Sequence, residues 1–361
     1  MIFNKSKLVF AKAALMLCAH VGNAYFEVFP LVDNNGEYNA PFHDPRLLNP
    51  WGLTFKEFGD HQGDLIVADN GNPNFLATSY DEDGMIESFD IPIISGSGPF
   101  DPTGLVSNNS FNFLIGTFPN RHPAQLLFSS EAGKVLAFNK HVSDAAIVVI
   151  DNSAAGAVYK GITIASNFEG CIAEEKRLLY VADFFHARVD IYDSEFNFVN
   201  SFESDPNIPD GYAPFNVENI DGLIYVAFAK QDDAHHDDVP GLGFGYVSVF
   251  FPDGTLKKTL ISQGLLNAPW GMAHLSWSFG FDEDALAVGN FGDGKIHVYD
   301  MFDGDFLGTL KDENYNDIVI DGLWALKTDP FFYVAHELYF TSGPDEEADG
   351  LVGYITMDHY Q

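Results

Sequence analysis

Short apolar segments separated by polar turns run along most of the chain. The segments are rich in Val, Ile, Tyr and Phe, and several are followed by Asp-Gly pairs, such as Asp253-Gly254 and Asp293-Gly294. Short β-branched and aromatic runs between turn residues are typical of strands joined by tight turns. The pattern therefore predicts β-strands and not helices.

The strands recur in units of three, and the unit is repeated six times. Typical first, second and third strands are APWGMAHL, LLYVADF and ARVDIYD, and successive units are spaced by 52, 57, 55, 55 and 54 residues. The positions used for this alignment are Trp51, Thr103, Lys160, Phe215, Trp270 and Trp324. Three strands plus a less regular outer strand in about fifty residues are the signature of a propeller blade. We predict an all-β fold, a six-bladed β-propeller with four-stranded antiparallel blades, as a single domain over residues 25–361.

The apolar segment YFEVFPLV, residues 25–32, precedes the first unit. We expect it to supply the outer strand of the last blade and so to close the ring.

Residues 1–24 differ from the rest of the chain. Lys5 and Lys7 precede a mostly apolar run over residues 8–21, and small residues follow at Gly22 and Ala24. This arrangement predicts a signal peptide cleaved after Ala24 and a secreted or periplasmic protein, against the alternative of a short N-terminal helix. No other segment has the 18 or more consecutive apolar residues of a membrane span.

Composition limits the classes of partner. The chain has a formal net charge of -34 and is 46% hydrophobic, and its acidic residues are scattered along the sequence. Nucleic acid is excluded as an expected partner, because phosphate binding depends on basic patches. We expect a monomer with a packed core that binds neither nucleic acid nor an anionic membrane surface.

Several motifs resemble those of known propellers. NPWGL (49–53), DNSAAGAVYKGITIAS (151–166), AKQDDAHHDDV (229–239) and GNFGDGKI (289–296) resemble an uncharacterised family of exported bacterial NHL-like propellers, over essentially the whole mature chain. The resemblance implies the fold and an exported location, and it implies no reaction.

In a propeller, the starts of the inner strands and the ends of the second strands lie on one face, around the mouth of the central channel. Aromatic residues at this face would either pack together or form a rim on which a glycan stacks. Lys160 would bind a substrate carboxylate or pair with Asp183, and His186 would be a general base or an ordinary surface histidine. The candidate ligand-binding residues are Trp51, Lys160, Phe215, Trp270, Trp324, Lys230 and His186.

Oxygen-bearing side chains at the ends of the second strands suggest a cation site. Asp69, Asn70, Asp183 and Asn290 suit calcium, which takes six to eight oxygen ligands. Alternatively, these side chains only fix the turns through backbone N–H groups.

The loop over residues 231–239 is the second candidate metal site. Its imidazoles and carboxylates suit zinc, which we rank behind calcium, although the spacing matches no defined motif. The alternative is a solvated acidic loop in which one residue bonds Lys230. The candidate ligands are Asp232, His235, His236, Asp237 and Asp238.

Two functions remain open from the sequence. The first is binding of a small molecule, glycan or protein segment at the channel mouth. The alternative is a calcium- or zinc-dependent hydrolase or lyase, by analogy with six-bladed lactonases and amidating lyases. The chain has no G-x-S-x-G motif and no phosphate-binding loop, so enzymatic activity is left undecided.

Overall fold

The computed structural model describes residues 25–57, 63–80, 86–92, 100–169, 174–203, 205–281, 284–330 and 336–357. The predicted signal peptide, residues 1–24, lies outside the described residues, so its cleavage stays a prediction. Among the described residues, no helix is long and apolar enough to cross a membrane.

Six sheets form six blades, which confirms the predicted six-bladed propeller. The first blade consists of β3 (Pro50–Phe55), β4 (Leu65–Asp69), β5 (Phe75–Tyr80) and β6 (Ile86–Pro92). The second consists of β7 (Pro102–Ser107), β10 (Leu126–Ser130), β11 (Lys134–Phe138) and β12 (Ile147–Asp151). The third consists of β13 (Tyr159–Glu169), β14 (Glu174–Asp183), β15 (Arg188–Tyr192) and β16 (Phe198–Glu203).

The fourth and fifth blades follow the same order, whereas the sixth has five strands instead of the predicted four. The fourth consists of β17 (Tyr212–Ile220), β18 (Leu223–Lys230), β19 (Gly245–Phe250) and β20 (Leu256–Ser262). The fifth consists of β21 (Pro269–Leu275), β22 (Ala285–Asn290), β23 (Ile296–Asp300) and β24 (Phe306–Thr309). The sixth consists of β25 (Leu323–Thr328), β26 (Glu337–Ser342), β27 (Leu351–Met357), β1 (Phe26–Asp33) and the short β2 (Phe42–His43). A small hairpin, β8 (Leu114–Ile115) with β9 (His122–Pro123), and two 3-10 turns, Ser153–Ala155 and Trp277–Phe279, complete the fold.

The first described strand closes the ring, as predicted. β1 pairs antiparallel with β27, from Phe26 opposite Met357 to Asp33 opposite Leu351. The first and last segments of the propeller are thus held in one sheet.

The inner strands β3, β7, β13, β17, β21 and β25 contact one another in sequence around the channel. In four of the six blades, the residue after the alignment position is glycine, which permits this close approach. A Cβ on Gly161 would lie 2.1 Å from Oδ1 of Asn216 on the neighbouring inner strand, and one on Gly52 would lie 2.7 Å from the backbone nitrogen of Leu105. The recurring glycine is therefore explained by backbone packing between blades.

Candidate functional site

An aromatic plug fills the channel at the end where the inner strands begin, which we call the channel mouth. Trp51 and Trp324 stack with ring centroids 3.7 Å apart, and Trp270 meets both rings edge-on. The three tryptophans are only 1% to 4% exposed. Their faces are occupied by one another, so this set packs as core and offers no open platform for a sugar. The members of the plug are Trp51, Trp270, Trp324, Phe215, Phe184 and the partly buried Phe291.

Lys160 lies against the aromatic plug. It is 1% exposed, and its ammonium is 4.9 Å from the ring centroid of Trp51, 5.7 Å from that of Phe184 and 5.9 Å from that of Phe215. The ring faces attract the cation, which offsets part of the cost of burying it.

The partner of Lys160 is Glu131, so the alternative of a pair with Asp183 is wrong. The ammonium of Lys160 donates to Glu131 and lies 3.7 Å from Oδ1 of Asp237. Asp183 is engaged elsewhere: it accepts from the backbone N–H of His186 at 3.2 Å and is hydrogen-bonded to the His186 ring at 2.7 Å. It is the last residue of β14, where it fixes the turn that follows in its own blade.

Acidic side chains from three alternate blades converge on Lys160. Glu131 comes from the loop between β10 and β11, and Asp237 and Asp238 come from the loop between β18 and β19. Glu347 comes from the loop between β26 and β27 and interacts electrostatically with Lys160, Glu131 and Asp237. The mouth therefore holds four carboxyl groups around one lysine.

The loop that carries Glu347 has a constrained backbone. Asp345, Glu346 and Glu347 have φ values of 56°, 54° and 68°, in the left-handed region that disfavours residues with a Cβ. The Glu347 carboxylate accepts a 2.6 Å hydrogen bond from Nδ2 of Asn49, whose Oδ1 accepts from the Trp324 indole at 2.9 Å. This chain of hydrogen bonds anchors Glu347 to the aromatic plug.

One lysine does not balance these acids. Burial raises the pKa of Asp238 to about 7; the Lys160 ammonium opposes the rise, and the charges of Glu347 and Asp237 add to it. Burial likewise raises the pKa of Glu347, although the hydrogen bond from Asn49 opposes the change. Among the described residues, the buried Oδ2 of Asp238 has no hydrogen-bond partner. The mouth thus has more negative charge than its own cation compensates.

Three side chains at this mouth can share one ion. One ligand atom each of Glu131, His236 and Asp237 lies within 4.8 Å of the other two. The Glu131 side chain is 15% exposed, whereas those of His236 and Asp237 are 47% and 67% exposed. The group is therefore closed on its Glu131 side and open to solvent on the other.

The loop histidines face different partners. His235 has a left-handed backbone, with φ of 59°, and its ring contacts Phe185 with centroids 6.0 Å apart. The His236 ring is hydrogen-bonded to Oδ1 of Asp237 at 2.9 Å. Asp232 fixes the turn by accepting the backbone N–H of His236 at 2.9 Å. Of the predicted loop ligands, His236, Asp237 and Asp238 therefore lie at the Lys160 cluster.

The alternative of a solvated acidic loop has one residue bonding Lys230, and the Lys230 carbonyl does accept the backbone N–H of Val239 at 2.8 Å. The Lys230 ammonium lies over the ring of Phe244, 4.2 Å from the centroid. The structure thus assigns this lysine to a cation–π contact within its own loop.

The predicted calcium ligands Asp69, Asp183 and Asn290 lie at the ends of second strands in three separate blades. The Asn290 side chain accepts the backbone N–H of Asn267 at 3.1 Å and donates to the carbonyl of Leu265 at 2.8 Å. Asp69 is fully buried at the end of β4. Asn70 reaches the cluster, because its Nδ2 donates to Oε2 of Glu131 at 3.4 Å.

Two residues of the cluster were missed from the sequence. Glu131 directly follows the second strand of its blade, at the position that Asn70 occupies in the first blade. The repeat alignment could have identified it. Glu347 lies five residues beyond its strand, where only the conformation of the loop brings it to the mouth.

The chain is similar to proteins of Acanthamoeba polyphaga mimivirus. It is 33% identical to the uncharacterized protein R648 over 337 residues, which cover 90% of this chain and 79% of that protein. It is 34% identical to the uncharacterized protein L690, covering 90% of this chain and 84% of that protein. No family model matches the chain. These relatives are viral, so they do not support the expected resemblance to a family of bacterial proteins. The propeller fold that the resemblance implied is confirmed.

Solved structures share the fold at low sequence identity. A structural genomics protein of unknown function from Bacteroides thetaiotaomicron aligns with a TM-score of 0.55 and 11% identity, covering 93% of this chain and 76% of that protein. The GH93 α-L-arabinofuranosidase of Fusarium graminearum, solved with arabinobiose, aligns with a TM-score of 0.54 and 10% identity, covering 93% and 98%. At this identity the likeness shows the fold alone.

Proposed function

The chain belongs to the family of the mimivirus proteins R648 and L690, and we propose that it binds a divalent cation at the channel mouth and, through that ion, a ligand. The observation that carries the proposal is the convergence of Glu131, His236 and Asp237 within one ligand sphere. The ligand would be a small molecule, glycan or protein segment that presents an oxygen atom to the ion.

The side-chain chemistry favours zinc or manganese over calcium. An imidazole together with two carboxylates suits zinc, whereas calcium prefers an all-oxygen shell of six to eight ligands. Three protein ligands leave at least one position of a zinc ion for water or a ligand atom. Because His236 and Asp237 are the exposed members of the group, that position would face solvent.

Electrostatics favour the same site. The ammonium of Lys160 is the buried cation of the cluster, and the charges of Glu347 and Asp237 already help to raise the pKa of Asp238. A divalent ion would relieve this repulsion among carboxylates. The ammonium of Lys160 opposes the ion, since it lies 3.7 Å from Asp237, so the affinity reflects the difference between these two effects.

Thermal unfolding and calorimetric titration test the proposal with zinc, manganese, calcium and magnesium. An ion at 100 times its Kd stabilises the fold by about 2.7 kcal/mol, which corresponds to a melting shift of about 4 °C for a domain of this size. We expect zinc or manganese to give this shift in the wild type. A Glu131→Gln, Asp237→Asn double variant should lose it.

Matched controls are available in the same loop. Asp233 is exposed, and His235 contacts Phe185. The Asp233→Asn and His235→Ala variants should therefore keep the ion-dependent shift. Equal melting temperatures of the wild type in chelator and in all four ions would contradict the proposal.

A metal-dependent hydrolase or lyase is the second candidate, and the Asp183–His186 pair favours it. The His186 ring is hydrogen-bonded to buried Asp183 at 2.7 Å, and its side chain is 29% exposed. A carboxylate in this position orients an imidazole for proton transfer. Phe185 links this pair to the loop, because its ring lies 5.0 Å from that of His186 and 6.0 Å from that of His235.

Hydrolysis of p-nitrophenyl acetate by the zinc-loaded and manganese-loaded protein provides a first test of this candidate. Turnover that is lost in His186→Gln, with ion binding retained, would support catalysis. Ion binding without turnover would support the binding function alone.

A further inference from the structure

A cavity lies at the other end of the channel, which we call the opposite mouth. It has a volume of about 250 Å³ and is lined by the ends of inner strands from five of the six blades. Its polar and charged lining includes Glu57, Ser107, Asn109, Arg177, Glu218 and Lys327.

The aromatic plug separates this cavity from the channel mouth. Trp51 stands near the start of β3, and Thr54, which lines the cavity, stands near its end. Three residues of strand span about 10 Å. The two sites therefore lie on opposite sides of buried aromatic rings and can be tested independently.

The cavity lining has equal numbers of positively and negatively charged side chains. The Lys327 ammonium donates to Glu218 at 2.8 Å. Burial raises the pKa of Glu57, while a hydrogen bond from Asn109 and the positive charges of Lys327 and Arg177 oppose that rise. Two cations and two carboxylates give this lining no net charge, unlike the rest of this strongly acidic chain.

One hydroxyl group in the lining, that of Ser107, differs from the neighbouring polar side chains in its hydrogen bonding. Ser107 is 8% exposed, and its Oγ has no hydrogen-bond partner among the described residues. The neighbouring Asn108 amide, in contrast, donates to the carbonyls of Asn112 and Ala124 at 3.2 and 2.8 Å. A buried hydroxyl without a partner is costly, and a bound polar molecule would satisfy it.

We propose that the opposite mouth binds a neutral polyhydroxylated small molecule of about the size of a single sugar ring. Carboxylates, cations and the Ser107 hydroxyl offer acceptors and donors that hydroxyl groups can satisfy. A ligand with its own net charge would have to compete with the Lys327–Glu218 pair. The volume is below the roughly 300–1,000 Å³ of sites for drug-sized molecules, which favours a small occupant.

Saturation-transfer NMR with single sugars tests the proposal on the full-length protein. The probes are D-glucose, D-galactose, D-mannose, D-xylose and L-arabinose, and the comparison set is D-glucuronate, D-glucosamine and glycine. We expect at least one neutral sugar to bind, and we expect anionic glucuronate, cationic glucosamine and zwitterionic glycine to bind more weakly or not at all.

Two variants and one control locate the binding. Ser107→Ala should weaken binding about tenfold, because one hydrogen bond to the ligand is lost. Glu57→Gln should weaken it as well and provides a second readout if Ser107→Ala does not fold. Ser153→Ala, in an exposed turn of another loop, should leave binding unchanged.

The outcomes separate this inference from the proposed function. A Glu131→Gln, Asp237→Asn variant that has lost ion binding should still bind the sugar. Stronger binding of glycine, glucuronate or glucosamine than of any neutral sugar would overturn the proposal. It would also be overturned if no probe bound, or if binding were unaffected in both Ser107→Ala and Glu57→Gln.

Discussion

Replacing Asp238 with asparagine removes one negative charge from the channel mouth and keeps the shape of the side chain. Burial raises the pKa of this carboxyl group from 3.8 to about 7 in the folded protein. Between pH 3.8 and pH 7, the folded state therefore keeps a proton on Asp238 that the unfolded state has already lost. The contribution of Asp238 to the stability of the fold is therefore highest below pH 3.8 and decreases as the pH rises towards 7.

The structure sets the size of this effect. A pKa of about 7 in place of 3.8 corresponds to a cost of about 4 kcal/mol above pH 7, and more than half of that cost develops between pH 5 and pH 8. Solvent reaches part of the Asp238 side chain, which reduces the cost. We therefore expect Asp238→Asn to gain about 1–2 kcal/mol over the wild type when the pH is raised from 5 to 8.

Urea unfolding at both pH values measures this difference, because urea adds no salt that would screen the charges. Asp233→Asn is the matched control, since Asp233 is an exposed aspartate of the same loop. It should follow the wild type. Parallel stability changes in the wild type and Asp238→Asn, or a lower stability of Asp238→Asn at pH 8, would refute the reasoning.

Two further predictions follow from the same geometry, and a third follows from the sequence. Lys160→Met should tighten zinc binding about tenfold or more in calorimetric titration, because it removes a positive charge 3.7 Å from Asp237; unchanged or weaker binding would contradict this. Gly161→Ala should lower the free energy of unfolding by about 1–3 kcal/mol, since the new Cβ would lie 2.1 Å from Oδ1 of Asn216; a wild-type urea midpoint would count against it. Protein recovered from the medium or the cell envelope should begin at or near Tyr25 by mass spectrometry, and an intact full-length chain in the cytoplasm would argue against export.

The fold was predictable because its signals are local and repeated. The six units and their spacing follow from apolar strands and turn residues. The last blade lacked an outer strand, so the segment before the first unit could be placed there, beside β27. The glycines of the motif are explained by the close contact between inner strands, since a side chain at Gly161 would clash with Asn216.

The candidate site was only partly predictable, because it depends on loop conformation. His236 and Asp237 were selected by composition, but their partner Glu131 comes from a different blade. Glu347 reaches the mouth because Asp345, Glu346 and Glu347 all have a left-handed backbone. The sequence of these three residues does not predict that conformation. The partner of Lys160 likewise depends on how loops from separate blades meet, which no spacing along the chain encodes.

Anomalous diffraction from crystals grown with zinc tests the central claim most directly, because it locates the ion without reference to stability or activity. We predict one strong peak per chain at the channel mouth, about 2.0–2.2 Å from ligand atoms of Glu131, His236 and Asp237. The absence of a peak there, or a peak only at other positions, would contradict the account.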